Sequence, residues 1–164
     1  MHSIFSQAQT FLETVFSNLP TEISANEIPV IDHLCYRVTS VARYEELKDE
    51  LSQTETLEDE SEVNGRPICI VRLQNPLTYR EYVIDALELP APSAKPYPEG
   101  FEHLEFVIPS LSEFMVRHPD LTLDTKGLTR ETNKDLSLKL STTLAVKFHE
   151  AHIFEVLVEQ RSLR

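Results

Sequence analysis

The sequence predicts an α+β fold: two βαβββ modules wrapped as a half-open sheet, preceded by an N-terminal helix. Three observations predict it. Asp32-His33-Leu34-Cys35-Tyr36-Arg37-Val38 and Glu102-His103-Leu104-Glu105-Phe106-Val107-Ile108 repeat one pattern of acid, His, Leu, any, aromatic, any, aliphatic, at an offset of 70 residues. A period that long in a chain of 164 residues marks two similar halves. Each copy is followed by the same order of signals, a capped helix and then further strands. Between the halves, residues 90–100 hold four prolines, which neither a strand ladder nor a helix accepts.

The elements follow in order. Phe5, Ala8, Leu12, Val15 and Leu19 recur at three- and four-residue steps, an amphipathic helix stopped by Pro20. Residues 30–38 alternate as a strand. Thr39-Ser40 supplies a cap, and Tyr44, Leu47 and Leu51 give the next helix its apolar stripe. The acidic run 55–62 reads as a solvated strand or loop. Asn64-Gly65 is a turn able to take positive φ, leading into a strand over 67–73, with a further strand over about 79–89. The pattern restarts with a strand over 101–108. Ser110-Leu111-Ser112-Glu113 is a capping box opening a helix that Pro119 closes. Strand signals cover 121–124, 136–140 and 144–149, and residues 151–160 suit helix or strand. The expected organisation is a single domain over 1–164. It comprises an N-terminal helix and lead-in (1–29), a first module (30–90), a Pro-rich linker (91–100) and a second module (101–164).

Composition bounds the partners. A hydrophobic content of 41% is enough for one core. The net charge of -12 repels phosphate backbones and anionic lipid, so neither nucleic acid nor a membrane surface is an expected partner. The N-terminus carries no basic stretch followed by an apolar run, and no apolar run reaches membrane-spanning length, so a cytoplasmic protein is expected. Cys35 and Cys69 stand far apart within strands and read as buried thiols.

Side chains alternate across a strand, so parity sorts them into two faces. Leu34, Tyr36 and Val38 oppose His33, Cys35 and Arg37. Leu104, Phe106 and Ile108 oppose His103, Glu105 and Val107, while Leu144, Val146 and Phe148 oppose Ala145, Lys147 and His149. One face packs under helices and the other is polar enough to line a cavity. Glu88 ends the apolar row Tyr82, Ile84, Ala86, and a carboxylate so placed needs a cation. A metal between His33, His103 and Glu88 meets that need. Two histidines and a carboxylate leave positions open for a bidentate oxygen ligand on Fe, Mn, Ni, Co or Zn. Arg37, Arg72 and Lys147 share the cavity parity and are candidate substrate-binding cations for a carboxylate- or phosphate-bearing molecule, with salt bridges to the many acids as the plain alternative. Glu105, two residues after His103, is a candidate orienting group or general base. His2, His118 and His152 have no repeat partner and read as surface residues.

The phrases Asp32-His33-Leu34, Asn64-Gly65-Arg66-Pro67-Ile68-Cys69, Leu87-Glu88-Leu89-Pro90, Gly100-Phe101-Glu102-His103-Leu104-Glu105 and Thr143-Leu144-Ala145-Val146-Lys147-Phe148-His149 closely resemble the YecM family, over about residues 30–160. That family resembles a branch of the vicinal oxygen chelate superfamily, with its glyoxalase-like fold. Bleomycin-resistance proteins, glyoxalase I, methylmalonyl-CoA epimerase and extradiol dioxygenases belong to it. The resemblance implies a divalent metal held by a first-strand residue and a fourth-strand Glu from each module. His33, His103 and Glu88 match three of these positions. At the fourth, the chain departs: His149 is favoured by strand parity, and Glu155 is the alternative if a strand extends that far. The implied activity is that of a metalloenzyme of isomerase, lyase or dioxygenase type on a small oxygen-rich anion. A non-catalytic small-molecule binding or sequestering protein is the alternative, and a structural or partner-binding domain is a third reading. One chain with both modules could build its pocket alone, which favours a monomer.

Overall fold

A computed structural model describes residues 3–94 and 97–162. His2, Lys95 and Pro96 lie outside the described residues, as does the expectation that His2 is a surface group. The chain divides into two compact units, one formed by Met1–Leu12 and His33–Glu102 and the other by Glu13–Asp32 and His103–Arg164. The predicted N-terminal helix opens as a 3-10 turn over Ser3–Gln7 and continues as α1, Ala8–Asn18, ending before Pro20.

β1 (Val30–Arg37) enters the first unit at His33 and leads into α2 (Val41–Ser52), then β2 (Thr56–Val63), β3 (Arg66–Tyr79) and β4 (Tyr82–Pro90). The strand order is β2-β3-β4-β1. β2, β3 and β4 are antiparallel neighbours, and β4 runs parallel to β1 with Leu34 opposite Leu87 and Cys35 opposite Glu88. Ser40 caps α2 by accepting the Arg43 N–H at 3.1 Å. Tyr44, Leu47 and Leu51 are the buried stripe of that helix. Asn64 and Gly65 adopt φ of 54° and 76° in the β2–β3 turn, and only a small or glycine residue takes such angles cheaply.

Two strand limits differ from expectation. β3 does not end near Leu73 but continues through Pro76, because a register shift between Arg72 and Leu77 removes the need for ladder hydrogen bonds at the proline. Tyr79 therefore ends β3 rather than starting β4, and the chain reverses at Arg80, which takes φ of 53°. The acidic run resolves as strand β2, solvated along most of its length. Its Glu60 carboxylate meets the Tyr44 hydroxyl at 3.1 Å and the Lys48 ammonium at 2.9 Å. Beneath it, burial first and Glu60 second push the Cys69 thiol up to about 12, so Cys69 is an unreactive packing thiol, as read from sequence.

The second unit repeats the plan. β5 (Gly100–Val107) leads into α3 (Leu111–Arg117), β6 (Leu123–Asp124), β7 (Leu136–Lys139), β8 (Ala145–His149) and α4 (Ile153–Ser162). The order is β5-β8-β7-β6, with β8 parallel to β5 and antiparallel to β7. First and last strands of each half are thus parallel neighbours, as β1 and β4 are. Ser110 caps α3 through the Glu113 N–H at 3.2 Å. Phe114 packs its ring 4.6 Å from Phe148, which stacks on Phe106 at 5.8 Å. The ambiguous C-terminal stretch is helical, burying Ile153, Val156 and Leu157.

One histidine expected at the surface is buried here. His118 closes α3 with its ring only 6% exposed and its Nε2 2.9 Å from Glu27. Glu27 sits in a 3-10 turn, Ala25–Glu27, that arrives from the lead-in, and also accepts from Arg117 Nε at 2.9 Å and Ser24 N–H at 3.0 Å. Burial alone would raise this carboxyl, but the hydrogen bonds from Ser24, His118 and Arg117 outweigh it and hold Glu27 at about 2. Sequence offered no sign of this because Glu27 and His118 are distant in the chain.

Candidate metal and anion site

Each unit carries its share of the polar face. In the first, alternation along β1 puts His33, Cys35 and Arg37 on one side. The β1–β4 register brings Glu88 beside Cys35. His33 Nε2 lies 4.0 Å from Glu88 Oε2, with the side chains 2% and 17% exposed. That spacing exceeds a hydrogen bond. It lies under the outer limit of about 4.2 Å for opposite donors and above the roughly 3.0–3.5 Å of adjacent donors on one ion, so adjacent ligation draws the two side chains together by about 0.5–1 Å. Arg37 donates from Nε to Glu102 at 2.6 Å, and the Tyr97 ring lies over its guanidinium at 5.0 Å. Nearby, Glu99 accepts from Arg43 Nε at 3.0 Å and from the Tyr36 hydroxyl at 3.4 Å. Arg72 stands apart from this group, 39% exposed, with Nε 2.6 Å from Glu58 and Nη1 3.5 Å from Asp85. These are the salt bridges that formed the plain alternative.

In the second unit the β5–β8 register pairs His103 with Ala145, Glu105 with Lys147 and Val107 with His149, so the four predicted polar groups share a face. A continuous series of imidazoles and carboxylates results. His103 Nε2 is 3.2 Å from Glu105 Oε1, which also accepts from Lys147 Nζ at 2.6 Å. Glu105 Oε2 lies 3.6 Å from His149 Nε2, and the same nitrogen is 3.0 Å from Asp32 Oδ2. Asp32 Oδ1 accepts the Ile153 N–H at 2.8 Å and faces His152 Nδ1 at 3.3 Å. Asp32 and His149 are fully enclosed, and Glu105 is 6% exposed. Acids this deep are tolerable only because each faces a cation or N–H donor.

The sequence pattern missed two members of this series. Asp32 enters the sequence pattern only as the acid of the repeated phrase, and its role as partner to His149 and His152 depends on α4 presenting the Ile153 N–H. The pattern places His152 at the surface, yet it is three-quarters enclosed against Asp32. Conversely, Glu155 does not occupy a strand position. β8 ends at His149 and Glu155 lies in the first turn of α4, exposed, accepting the His152 N–H at 3.3 Å.

The donor chemistry suits a divalent ion of the borderline class. A ligating imidazole commonly donates its other N–H to a carboxylate, which fixes its tautomer. Glu105 stands in that relation to His103, and Asp32 is the carboxylate within ion-pair range of His149.

The repeated unit, a helix-crossed pair of parallel strands followed by antiparallel ones, defines the class: an α+β protein with the vicinal oxygen chelate fold. Methylmalonyl-CoA epimerase from Mycobacterium tuberculosis superposes with a TM-score of 0.54 at 13% identity, over 82% of this chain and 96% of that one. The chain belongs to the YecM family, whose model, described as YecM protein, matches residues 1–148. It is 29% identical to Protein YecM of Escherichia coli (strain K12) over 99% of this chain and 95% of that protein. A solved structural-genomics protein, EC4020, matches with a TM-score of 0.68 at 26% identity, over 94% of this chain and 95% of the other.

Proposed function

We propose that the protein is a divalent-metal-dependent enzyme acting on a small, oxygen-rich anion, with His33 and Glu88 as the candidate ligands of the first unit and His103 and His149 as those of the second. The observation that carries this reading is the His33–Glu88 pair, a buried imidazole and a half-buried carboxylate set 4.0 Å apart, wider than a hydrogen bond and close enough for one ion to draw together. The equivalent strand position of His103 in the repeated phrase and the orienting carboxylates Glu105 and Asp32 support it. A bound ion would act as a Lewis acid on a substrate oxygen.

The remaining groups have chemistry of their own. Glu105, ion-paired to Lys147 at 2.6 Å and hydrogen-bonded to His103 at 3.2 Å, is the proton acceptor of the site. Lys147 supplies the counter-charge that such an enclosed carboxylate requires. His152, beyond Asp32, is the imidazole not assigned to the ion and is the one available to hold a proton on this side of the site. This arrangement favours proton-transfer chemistry, as in an isomerase or lyase, over simple sequestration of a ligand.

The test is metal analysis of untagged protein purified without chelator, beside His33→Ala and His103→Ala. The expected result is about one ion per chain in the wild type and loss of at least about tenfold in metal affinity in each variant, the size expected for removing a ligand or its orienting partner. A wild type that stays metal-free after incubation with Fe, Mn, Ni, Co and Zn would overturn the proposal. Retained small-molecule binding in a protein that takes up no metal would favour a binding protein.

A further inference from the structure

Arg37 carries a demand that the metal-dependent reading does not use. Its side chain is 12% exposed and stands on the β1 face that holds His33 and Cys35. Glu102 satisfies the Nε edge of the guanidinium at 2.6 Å. Tyr97 covers its face at 5.0 Å. Nη1 is buried and has no hydrogen-bond partner among the described residues. A guanidinium has five N–H donors and cannot shed its proton to escape the cost of leaving them unmet. A buried donor of this kind calls for an acceptor beyond those the described residues supply, water or a ligand atom.

The surroundings restrict which acceptor fits. Burial opposes the charge on Arg37, but Cys35, Glu102 and Glu88 together outweigh it and raise its pKa, so the group keeps its charge. Glu88 is also the carboxylate that faces His33 at 4.0 Å, and it pairs across the sheet with Cys35, the residue midway between His33 and Arg37. Arg37 and His33 therefore lie on one face of β1, four residues or about 13 Å apart along the strand. Two carboxylates already border the guanidinium, so a singly charged, planar oxyanion is accommodated better than a phosphate dianion.

We propose that Arg37 anchors the carboxylate of a small organic acid at the end of the β1 face that holds the His33–Glu88 pair. The proposal rests on the reading of a small anionic ligand and names its chemical class. In it, Glu102 and Tyr97 are positioning residues that hold the guanidinium edge-on to the acid.

The test is calorimetric titration of the full chain with glycolate, with glycolamide as the neutral analogue and inorganic phosphate as the alternative anion. Each is run on chelator-treated and on metal-loaded protein. Glycolate is expected to bind the chelator-treated wild type, with glycolamide and phosphate at least about tenfold weaker. Arg37→Gln is expected to weaken glycolate by about 10- to 100-fold, the equivalent of one or two charge-assisted hydrogen bonds, while its metal content stays at the wild-type level. Arg37→Lys, which keeps the charge and protects the fold, should lose only part of the affinity. Equal glycolate binding by wild type and Arg37→Gln would overturn the proposal, as would tighter binding of phosphate or no glycolate binding at millimolar concentration. Because the Arg37 dependence is read without metal, a protein that takes up no ion defeats the metal proposal and leaves this one standing.

Discussion

At the scale of single residues, Asp32 is the group on which most partners converge. Its two oxygens meet His149, His152 and the first N–H of α4 from a position with no exposed surface. Asp32→Asn keeps the shape but removes the charge that faces His149. It is expected to cost about 1–3 kcal/mol of stability, the usual magnitude for a hydrogen bond to a buried charged group, measured as a lower urea midpoint with an unchanged slope. Parity along each strand was enough to group His33 with Arg37, and His103 with Glu105, Lys147 and His149, because a period of two is a property of the sequence itself. Asp32 and His152 were not legible in that way. Their roles arise where a loop ends and a helix begins, and local periodicity says nothing about which distant side chain faces an exposed N–H. For Glu155 the same boundary decided against the strand position, since the chain turns into α4 right after β8.

At the scale of elements, the lead-in segment is fastened to the end of α3 by Glu27, which His118, Arg117 and Ser24 hold at about 2. A carboxyl whose pKa is lowered in the folded state stabilises the protein most at pH above its ordinary value near 4.5, and that contribution disappears as pH falls towards 2. Glu27→Gln is therefore expected to unfold more easily than wild type at pH 7, by about 1–3 kcal/mol. The two proteins should converge as the solution is acidified through the interval between those values, as followed by thermal melts at stepped pH. Helix and strand existence was largely legible beforehand, since caps at Ser40 and Ser110, the Asn64-Gly65 turn and the apolar steps of α2 are local signals. The length of β3 was not, because Pro76 reads as a strand breaker and only the register shift beside it lets the strand continue. His118 was illegible for a different reason. Its partner comes from a segment with no periodic pattern.

At the scale of the whole molecule, the duplicated plan was the strongest signal in the chain. The repeated phrase located β1 and β5, and each is paired in parallel with the last strand of its own half. No helix among the described residues is long and apolar enough to cross a membrane. A ligand that binds only the folded state raises its melting temperature. Wild-type protein loaded with its preferred divalent ion is therefore expected to melt higher than chelator-treated protein, with the difference absent in His33→Ala. An unchanged melting temperature in loaded wild type would count against a site built from folded-state ligands. With a net charge of -12, the approach of an anion is opposed over long range and eased by added salt, so on-rates for carboxylates should rise with ionic strength.

The parallel pairing of first and last strands has a bearing on synthesis. Leu34 and Cys35 meet Leu87 and Glu88 only after nearly the whole module has been made, and His103 reaches its β8 neighbours similarly late. Closure of each half is a long-range event, which is entropically slow compared with forming a local hairpin. On the ribosome, the first imidazole emerges long before the carboxylate that stands beside it. A nascent chain arrested before β4 therefore lacks that carboxylate altogether, and the His33–Glu88 pair exists only once the whole first module has been made.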